Sequence, residues 1–277
     1  MYTLNCKGTL VDLTIPKIMG IINVTPDSFY DGGRTTVLRD IVAQAEKMVN
    51  DGATFLDIGG YSSRPGATDI SETEEVKRVV PVIEVLAKEF PQIHLSIDTF
   101  RSEVAKKAVH AGAAMVNDIS GGSLDTKMYA TVATLGVPYV LMHMKGTPQN
   151  MGAQASYRDV LSEVLYYFSE KIAKARAAGI NDIIADPGFG FAKTAAHNFE
   201  LLRNLAHFKN LDVPYLVGIS RKSTIYNTLG CSANEALNGT TVLNTVALER
   251  GASILRVHDV KEASECVTLL QAMNNTD

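Results

Sequence analysis

The sequence predicts an α/β protein in which eight parallel strands, each followed by a helix, close into a single barrel. Three observations predict it. First, eight short apolar runs end in polar or charged residues: Asn23, Asp57, Asp98, Asn117-Asp118, His143, Asp186, Ser220-Arg221-Lys222 and Arg256-Val257-His258-Asp259. Unbroken apolar runs read as strands buried on both faces, the habit of parallel sheets. Second, helical patterns separate the runs, and Gly52, Gly112, Gly136, Gly179 and Gly251 each stand just before the next one. Glycine takes the left-handed conformation that closes a helix at little cost, so the recurrence marks a repeated unit. Third, the 277 residues approach the ~250 typical of one such (β/α)8, or TIM, barrel. In that architecture the C-terminal strand ends build the functional mouth, so the polar endings converge on one face.

The elements follow in order. Residues 1–16 alternate apolar and polar around Lys7-Gly8, which predicts a short β-hairpin plugging the bottom of the barrel. Barrel strands are expected near 17–24, 54–59, 94–98, 115–119, 139–144, 183–186, 215–219 and 253–258. Two loops at the mouth, Thr25 to Arg34 and Gly59 to Gly66, are rich in residues that permit unusual backbone shapes. Both are expected to be mobile and to order around ligand, since lids are drawn from such segments. Ser71 and Glu74 form a candidate capping box ahead of Val76, Val79, Val80 and Ile83, and Pro81 is expected to kink that helix. The longest helix, roughly 157–178, carries Val160, Val164, Phe168, Ile172 and Ala175 on one stripe before Gly179 stops it. Ser223 is a candidate cap for the helix after strand seven, whose N-terminus would favour a carboxylate. Residues 1–277 read as one domain.

Composition narrows the function classes. The chain is 46% hydrophobic and 20% charged, with 26 basic and 30 acidic residues for a net charge of -4. No basic block stands out, which argues against nucleic acid as a partner. An anionic ligand would need local cations to hold it against the overall negative field. Cys6, Cys231 and Cys266 are far apart and match no metal spacing, so they read as free thiols of a reducing compartment. The N-terminal residues lack the apolar core of a signal peptide, and no uncharged apolar run approaches the ~18 residues of a membrane span. The expectation is a soluble, cytoplasmic protein.

The strand endings then suggest chemistry. Arg64, Lys222, Arg256 and His258 all follow strand ends. Arginine's planar fork and lysine's point charge suit phosphate or pyrophosphate. Any one of these cations could instead pair with a neighbouring carboxylate; four on one mouth point to an anion. Asp98 and Asp186 stand at strand ends where a carboxylate can accept two hydrogen bonds from a flat aminopyrimidine edge. With Asn117 they could hold a heterocycle by its polar rim, or each acid could be satisfied by backbone N–H groups alone. Asp57 and Asp118 are weaker candidates that could simply brace a loop. Asn23 and Asp31 are hard oxygen ligands of the kind Mg²⁺ takes when water and substrate phosphate complete its shell. His143 has no partner at ligand spacing and reads as structural. No nucleophile elbow, P-loop or GxGxxG fingerprint is present, which argues against triad hydrolysis and NAD chemistry.

Taken together these stretches resemble the dihydropteroate synthases. The matching segments are Asn23-Val24-Thr25-Pro26-Asp27-Ser28-Phe29, Gly59-Gly60-Tyr61-Ser62-Ser63-Arg64-Pro65-Gly66, Ser96-Ile97-Asp98-Thr99 and Val116-Asn117-Asp118-Ile119-Ser120-Gly121-Gly122. They continue with Leu141-Met142-His143-Met144, Asp186-Pro187-Gly188-Phe189-Gly190-Phe191, Gly218-Ile219-Ser220-Arg221-Lys222-Ser223 and Arg256-Val257-His258-Asp259. The resemblance implies a transferase of folate biosynthesis that joins 6-hydroxymethyl-7,8-dihydropterin pyrophosphate to 4-aminobenzoate and releases pyrophosphate. It implies catalytic roles for Asp98, Asp186 and Lys222, and a pterin site of Asp98, Asn117, Met142, Asp186, Phe191, Gly218, Lys222 and Arg256. Pyrophosphate would meet Asn23, Arg64, Arg256 and His258, with Mg²⁺ on Asn23 and Asp31. The aminobenzoate, and hence sulfonamides, would sit among Phe29, Ser63, Pro65 and Ser223. A homodimer through the late helices is also implied, and the apolar residues Ala236, Val242, Val246 and Ala247 suit either that contact or packing on the barrel. Two residues depart from the family pattern beside the aminobenzoate pocket. Tyr61 stands where many relatives carry an acid or amide, and Thr224 where a bulky apolar residue is common.

Two rival readings remain at this level. A corrinoid-linked methyltetrahydrofolate methyltransferase would share the pterin-facing acids and Asn117, but would not need Arg64, Arg256 and His258 as a pyrophosphate site. A non-catalytic pterin-binding barrel would have no use for a leaving-group pocket at all.

Overall fold

The computed structural model describes residues 2–24, 34–62 and 69–274. Strands β1 (Thr3–Cys6) and β2 (Thr9–Asp12) form an antiparallel hairpin in which Thr3 faces Asp12 and Cys6 faces Thr9. Lys7 and Gly8 turn the chain with φ of 53° and 92°. Leu4, Cys6, Val11 and Leu13 of this hairpin are buried against Met19, Phe55, Met115, Val140, Ile184, Leu216 and Ile254. All seven partners lie toward the N-terminal ends of barrel strands, so the hairpin closes the bottom, as its alternation predicts.

The barrel strands are β3 (Lys17–Asn23), β4 (Phe55–Gly59), β5 (His94–Asp98), β6 (Met115–Asp118), β7 (Tyr139–Met142), β8 (Ile183–Asp186), β9 (Leu216–Val217) and β10 (Ile254–Val257). They pair in parallel in the order β8-β7-β6-β5-β4-β3-β10-β9. The two edges meet through a parallel bridge between Ala185 and Tyr215, where the Ala185 N–H donates to Pro214 O at 3.0 Å. The strands are shorter than the apolar runs at their C-terminal ends. There His143, Ile219 and Ser220 leave the ladder and enter loops.

The surrounding helices are α1 (Arg34–Asn50), α2 (Glu72–Glu89), α3 (Ser102–Ala111), α4 (Met128–Leu135), α5 (Val160–Ala177), α6 (Ala195–Arg203), α7 (Ser223–Leu229), α8 (Leu237–Glu249) and α9 (Val260–Asn274). Their apolar stripes and the outward strand faces make one continuous core. In α5 the buried residues are Val160, Val164, Phe168, Ile172 and Ala175, the stripe read from the spacing, and Asp159 caps the helix by accepting from Ser162 N at 2.8 Å. The glycines expected to end helices, Gly52, Gly112, Gly136, Gly179 and Gly251, all have positive φ, between 63° and 133°. Half of the expected capping box of α2 forms: Ser71 Oγ accepts from Glu74 N at 3.1 Å, while the Glu74 carboxylate turns forward to Arg78. The helix runs on through Pro81. Ala236 and Ala247 are fully buried on the barrel side, whereas Val242 is 53% exposed. The three cysteines are free thiols. No helix among the described residues is long and apolar enough to cross a membrane.

Candidate active site

Strand register places the polar endings at one level of the mouth. Gly59 pairs with Asp98, Asp98 with Asn117, and Met142 with Asp186. Side chains alternate along a strand. Asp57 therefore points to the same side as Gly59, into the barrel, one layer below.

A belt of charge crosses the interior at that layer. Asp57 is fully buried, and its Oδ2 accepts from Asn117 Nδ2 at 2.8 Å and from Arg256 Nε at 2.6 Å. The other end of the guanidinium donates from Nη2 to Asp98 Oδ2 at 2.7 Å. No donor among the described residues reaches Asp57 Oδ1. Burial opposes the charge on Arg256, but Asp57 and Asp98 more than offset it and hold the guanidinium pKa above its usual range. Burial raises the Asp98 carboxyl, with Arg256 opposing. The close ion pair favours the ionised acid, as does the open mouth that a fifth of its side chain, 20%, meets. The alternative weighed from sequence, an arginine paired with carboxylates, thus applies to Arg256; it is anchored from below, with its edge toward the mouth held by Asp98.

Opposite this belt stand Asp186 and Lys222. Asp186 is 5% exposed and accepts from Gly188 N at 2.8 Å. Burial raises its pKa, opposed by Lys222 and by that backbone hydrogen bond. The Lys222 ammonium donates to Phe189 O at 2.5 Å and lies 4.7 Å from the centre of the Phe191 ring. Burial lowers its pKa to about 8, against the pull of Asp186. Gly218 lies beside Arg256, where an added Cβ would make ordinary contact at 3.9 Å from that of Arg256. Met142 sits in a buried apolar cluster with Ile119, Met144, Met151 and Ala192, against which Phe191 packs.

The remaining predicted residues divide. His258 is at the mouth, its Nδ1 3.1 Å from Ser220 Oγ. Asn23 ends β3 with an exposed side chain. Arg64, Phe29, Ser63, Pro65 and Asp31, with residues 25–33 and 63–66 of the two expected lids, lie outside the described residues. Ser223 corrects one expectation: Lys222 occupies the N-cap position of α7 and makes no side-chain capping bond, so Ser223 is the first helical residue and not a cap. The extended backbone of Lys222 sends its ammonium back to Phe189 O instead. Arg221 is a brace, binding Asp259 through Nε and Nη2, each at 2.8 Å.

His143 is enclosed in the scaffold, in keeping with its structural reading, and of the two weaker acids Asp118 is the one that braces a loop. Asp118 accepts from Ser120 N, Ser120 Oγ, Gly122 N and the Tyr139 hydroxyl. His143 is buried beside Lys193, 2.8 Å from its Nζ, and burial lowers its pKa to about 2, so it stays neutral. Asp57 was undervalued by sequence, since it holds both Arg256 and Asn117. The two departures are also placed. The Tyr61 hydroxyl accepts from Gln149 at 2.8 Å and its ring meets Phe100 edge-on. Thr224 is buried, and its hydroxyl accepts from Asn198 at 2.8 Å.

Known proteins share this fold and much of this sequence. The family described as pterin binding enzyme matches residues 19–258. A dihydropteroate synthase of Escherichia coli strain K12 is 45% identical over 268 residues, covering 96% of this chain and 94% of that protein. A Xanthomonas albilineans dihydropteroate synthase solved with 4-aminobenzoic acid superposes with a TM-score of 0.92 at 42% identity, covering 99% of both chains. A Yersinia pestis dihydropteroate synthase solved with a sulfonamide drug gives 0.93 at 41%, covering 99% of this chain and 100% of that one. With a match this long on both counts, the chain belongs to the pterin-binding enzymes, within the dihydropteroate synthase family.

Proposed function

We propose that this chain joins 6-hydroxymethyl-7,8-dihydropterin pyrophosphate to 4-aminobenzoate, forming 7,8-dihydropteroate and pyrophosphate in folate biosynthesis. The observation that carries the proposal is the belt Asn117–Asp57–Arg256–Asp98 sharing one mouth with Asp186 and Lys222. It offers acceptors to the N–H edge of an aminopyrimidine and donors to its acceptors, on a rigid floor. A Xanthomonas albilineans relative at 39% identity, with a TM-score of 0.89, was solved in complex with 7,8-dihydropteroate.

In this reading the pterin lies across the floor, hydrogen-bonded by Asp98, Asn117, Asp186 and Lys222, with Met142, Phe191 and Gly218 shaping its pocket. The bond from the pterin methylene to the pyrophosphate oxygen breaks, and its electron pair leaves with the pyrophosphate. Asp98 and Asp186 favour the electron-poor pterin that remains, while Arg64, His258 and the guanidinium N–H groups of Arg256 not taken by Asp57 and Asp98 hold the departing charge by electrostatic stabilisation. The amino nitrogen of 4-aminobenzoate, placed by Phe29, Ser63, Pro65 and Ser223, attacks the methylene and then gives up a proton. Sulfonamides would compete for that pocket.

No cluster of three or more His, Cys, Asp or Glu side chains among the described residues is arranged for a metal. Mg²⁺ asks for less, typically one or two protein oxygens with water and phosphate completing the shell. The exposed Asn23 at the end of β3 fits that demand. Asn23 and Asp31 would hold the ion, which supplies added neutralisation of the pyrophosphate. The same reading takes residues 1–277 as one cytoplasmic domain that binds small molecules, and not nucleic acid or membrane, and that pairs as a homodimer through the late helices. The exposed Val242 and Leu269 support that pairing.

The test is pyrophosphate release and dihydropteroate formation with Mg²⁺, omitting each substrate in turn. Product that needs both substrates is expected. Tight pterin binding with no pyrophosphate release would overturn the proposal and favour a methyltransferase or a binding protein.

A further inference from the structure

The turn after β8 carries groups that face the site on one side and a buried lysine on the other. Gly188, Gly190 and Ala192 all have positive φ, at 68°, 81° and 49°. For alanine that conformation costs about 1–2 kcal/mol, so something must hold the turn in shape. The turn is also tight: a Cβ on Gly188 would stand 2.1 Å from His143 O. Lys193, only 9% exposed, reaches back beneath it. Its Nζ lies 2.8 Å from His143 Nδ1, and it donates to Phe191 O at 3.0 Å, Gly188 O at 3.1 Å and His143 O at 3.3 Å. From α6, the fully enclosed Asn198 accepts from Gly190 N at 2.9 Å. The opposite side of the same turn meets the site. Gly188 N donates to Asp186 Oδ1, Phe189 O accepts from Lys222 Nζ, and the Phe191 ring lies by that ammonium.

We propose that Lys193, seconded by Asn198, is a positioning residue that sets pterin affinity by fastening the turn of residues 187–192, and through it the Asp186 carboxylate and the Lys222 ammonium. Lys193 touches no reacting atom. Its three carbonyl partners can only accept, so its part is to donate and to tie them to one point. The inference rests on the functional reading above, in which Asp186 and Lys222 hold the pterin.

The test is Lys193→Met, which keeps the length of the side chain and removes every donor. Calorimetric titration with 6-hydroxymethyl-7,8-dihydropterin pyrophosphate is expected to show affinity reduced about tenfold or more, the scale of losing one or two hydrogen bonds. The KM for 4-aminobenzoate should stay within about twofold, since that substrate is placed by other loops. Leu86→Ala, a core deletion in α2, is the control: it should lower stability without this selective loss. Parent-like pterin affinity in folded Lys193→Met, or equal losses for both substrates, would overturn the proposal. Should Lys193→Met not fold, Asn198→Ala carries the test on pterin affinity alone, because Asn198 also donates to Thr224 beside the aminobenzoate pocket; a loss is expected, and parent-like affinity overturns the proposal. Hydrogen exchange at the Gly190 and Phe191 amides, measured without ligand, separates the two layers of argument. Faster exchange in the variant upholds the clamp even if the parent binds no pterin; unchanged exchange overturns it whatever the function.

Discussion

Replacing Asp57 with asparagine isolates what its charge contributes. Both bonds to Asp57 fall on one oxygen, Oδ2, from Asn117 at 2.8 Å and Arg256 at 2.6 Å. An amide oxygen can take that place and keep both. What is lost is charge assistance, the difference between roughly 1.5–3 kcal/mol for a bond to an ion and about 1 kcal/mol for a neutral one. The new NH2 then occupies the position of Oδ1, where no partner stands among the described residues, at a desolvation cost of about 1–3 kcal/mol. Arg256 keeps Asp98 at 2.7 Å, so the guanidinium is not stranded. The sum is a stability loss of about 1.5–5 kcal/mol, read as a midpoint lowered by about 2–4 °C for each kcal/mol. Asp57→Ala, which removes one partner of a buried ion pair outright, should cost about 3–5 kcal/mol. Because the floor carries both Asn117 and Arg256, pterin affinity in Asp57→Asn should also fall, by about tenfold or ~1.4 kcal/mol. Thermal unfolding and calorimetric titration with the pterin pyrophosphate read the two effects. A variant with the parent midpoint and pterin affinity within twofold would refute the view that Asp57 positions the site.

Asp98→Asn and Lys222→Ala should each lower kcat/KM by orders of magnitude while the unfolding midpoint stays near that of the parent; near-normal rates in both would remove them from the chemistry. Lys222 has its pKa lowered by burial to about 8, so the ammonium is present below that pH and lost as pH rises through it. Pterin affinity should therefore decline above about pH 8, and Lys222→Met should flatten that limb of a calorimetric pH series. The same shift has a stability sign. Between about 8 and the ordinary lysine value of 10.5 the unfolded chain binds more protons, so this group alone makes stability rise with pH there. Gly188→Ala places a Cβ 2.1 Å from a backbone oxygen at a φ of 68°, and it should disrupt pterin binding far more than Gly136→Ala, where a Cβ meets nothing within 4 Å. Phe168→Ala empties a fully buried position in α5 and should cost about 3–5 kcal/mol in denaturant unfolding with the pterin site intact.

The parts of this protein that obey a period were legible in its sequence, and the parts that depend on who stands opposite were not. Strand ends, helix stripes and left-handed glycines follow from local rules, and β3 to β10 fall where the apolar runs place them. Ser223 failed because a cap depends on backbone geometry at one residue, and Lys222 takes that place. Asp57 and Asp118 looked alike as acids at strand ends, yet strand parity separates them. Asp57 points to the same side as Gly59, whose partner is Asp98, so it faces the interior. Asp118 follows the inward Asn117 and must point outward, where Tyr139, Ser120 and Gly122 fill its lone pairs. A carboxylate saturated by its own loop has nothing left to do but hold that loop. A carboxylate that grips a guanidinium and a carboxamide from two other strands, and leaves one oxygen unfilled, links the stability of the barrel floor to the orientation of the groups above it. Lys193 lies beyond parity altogether. Its acceptors include the backbone oxygen of His143, 50 residues away, and two carbonyls of its own turn. Only the closed fold brings these together, which is why a lysine that no sequence period singles out becomes the fastening beneath the site.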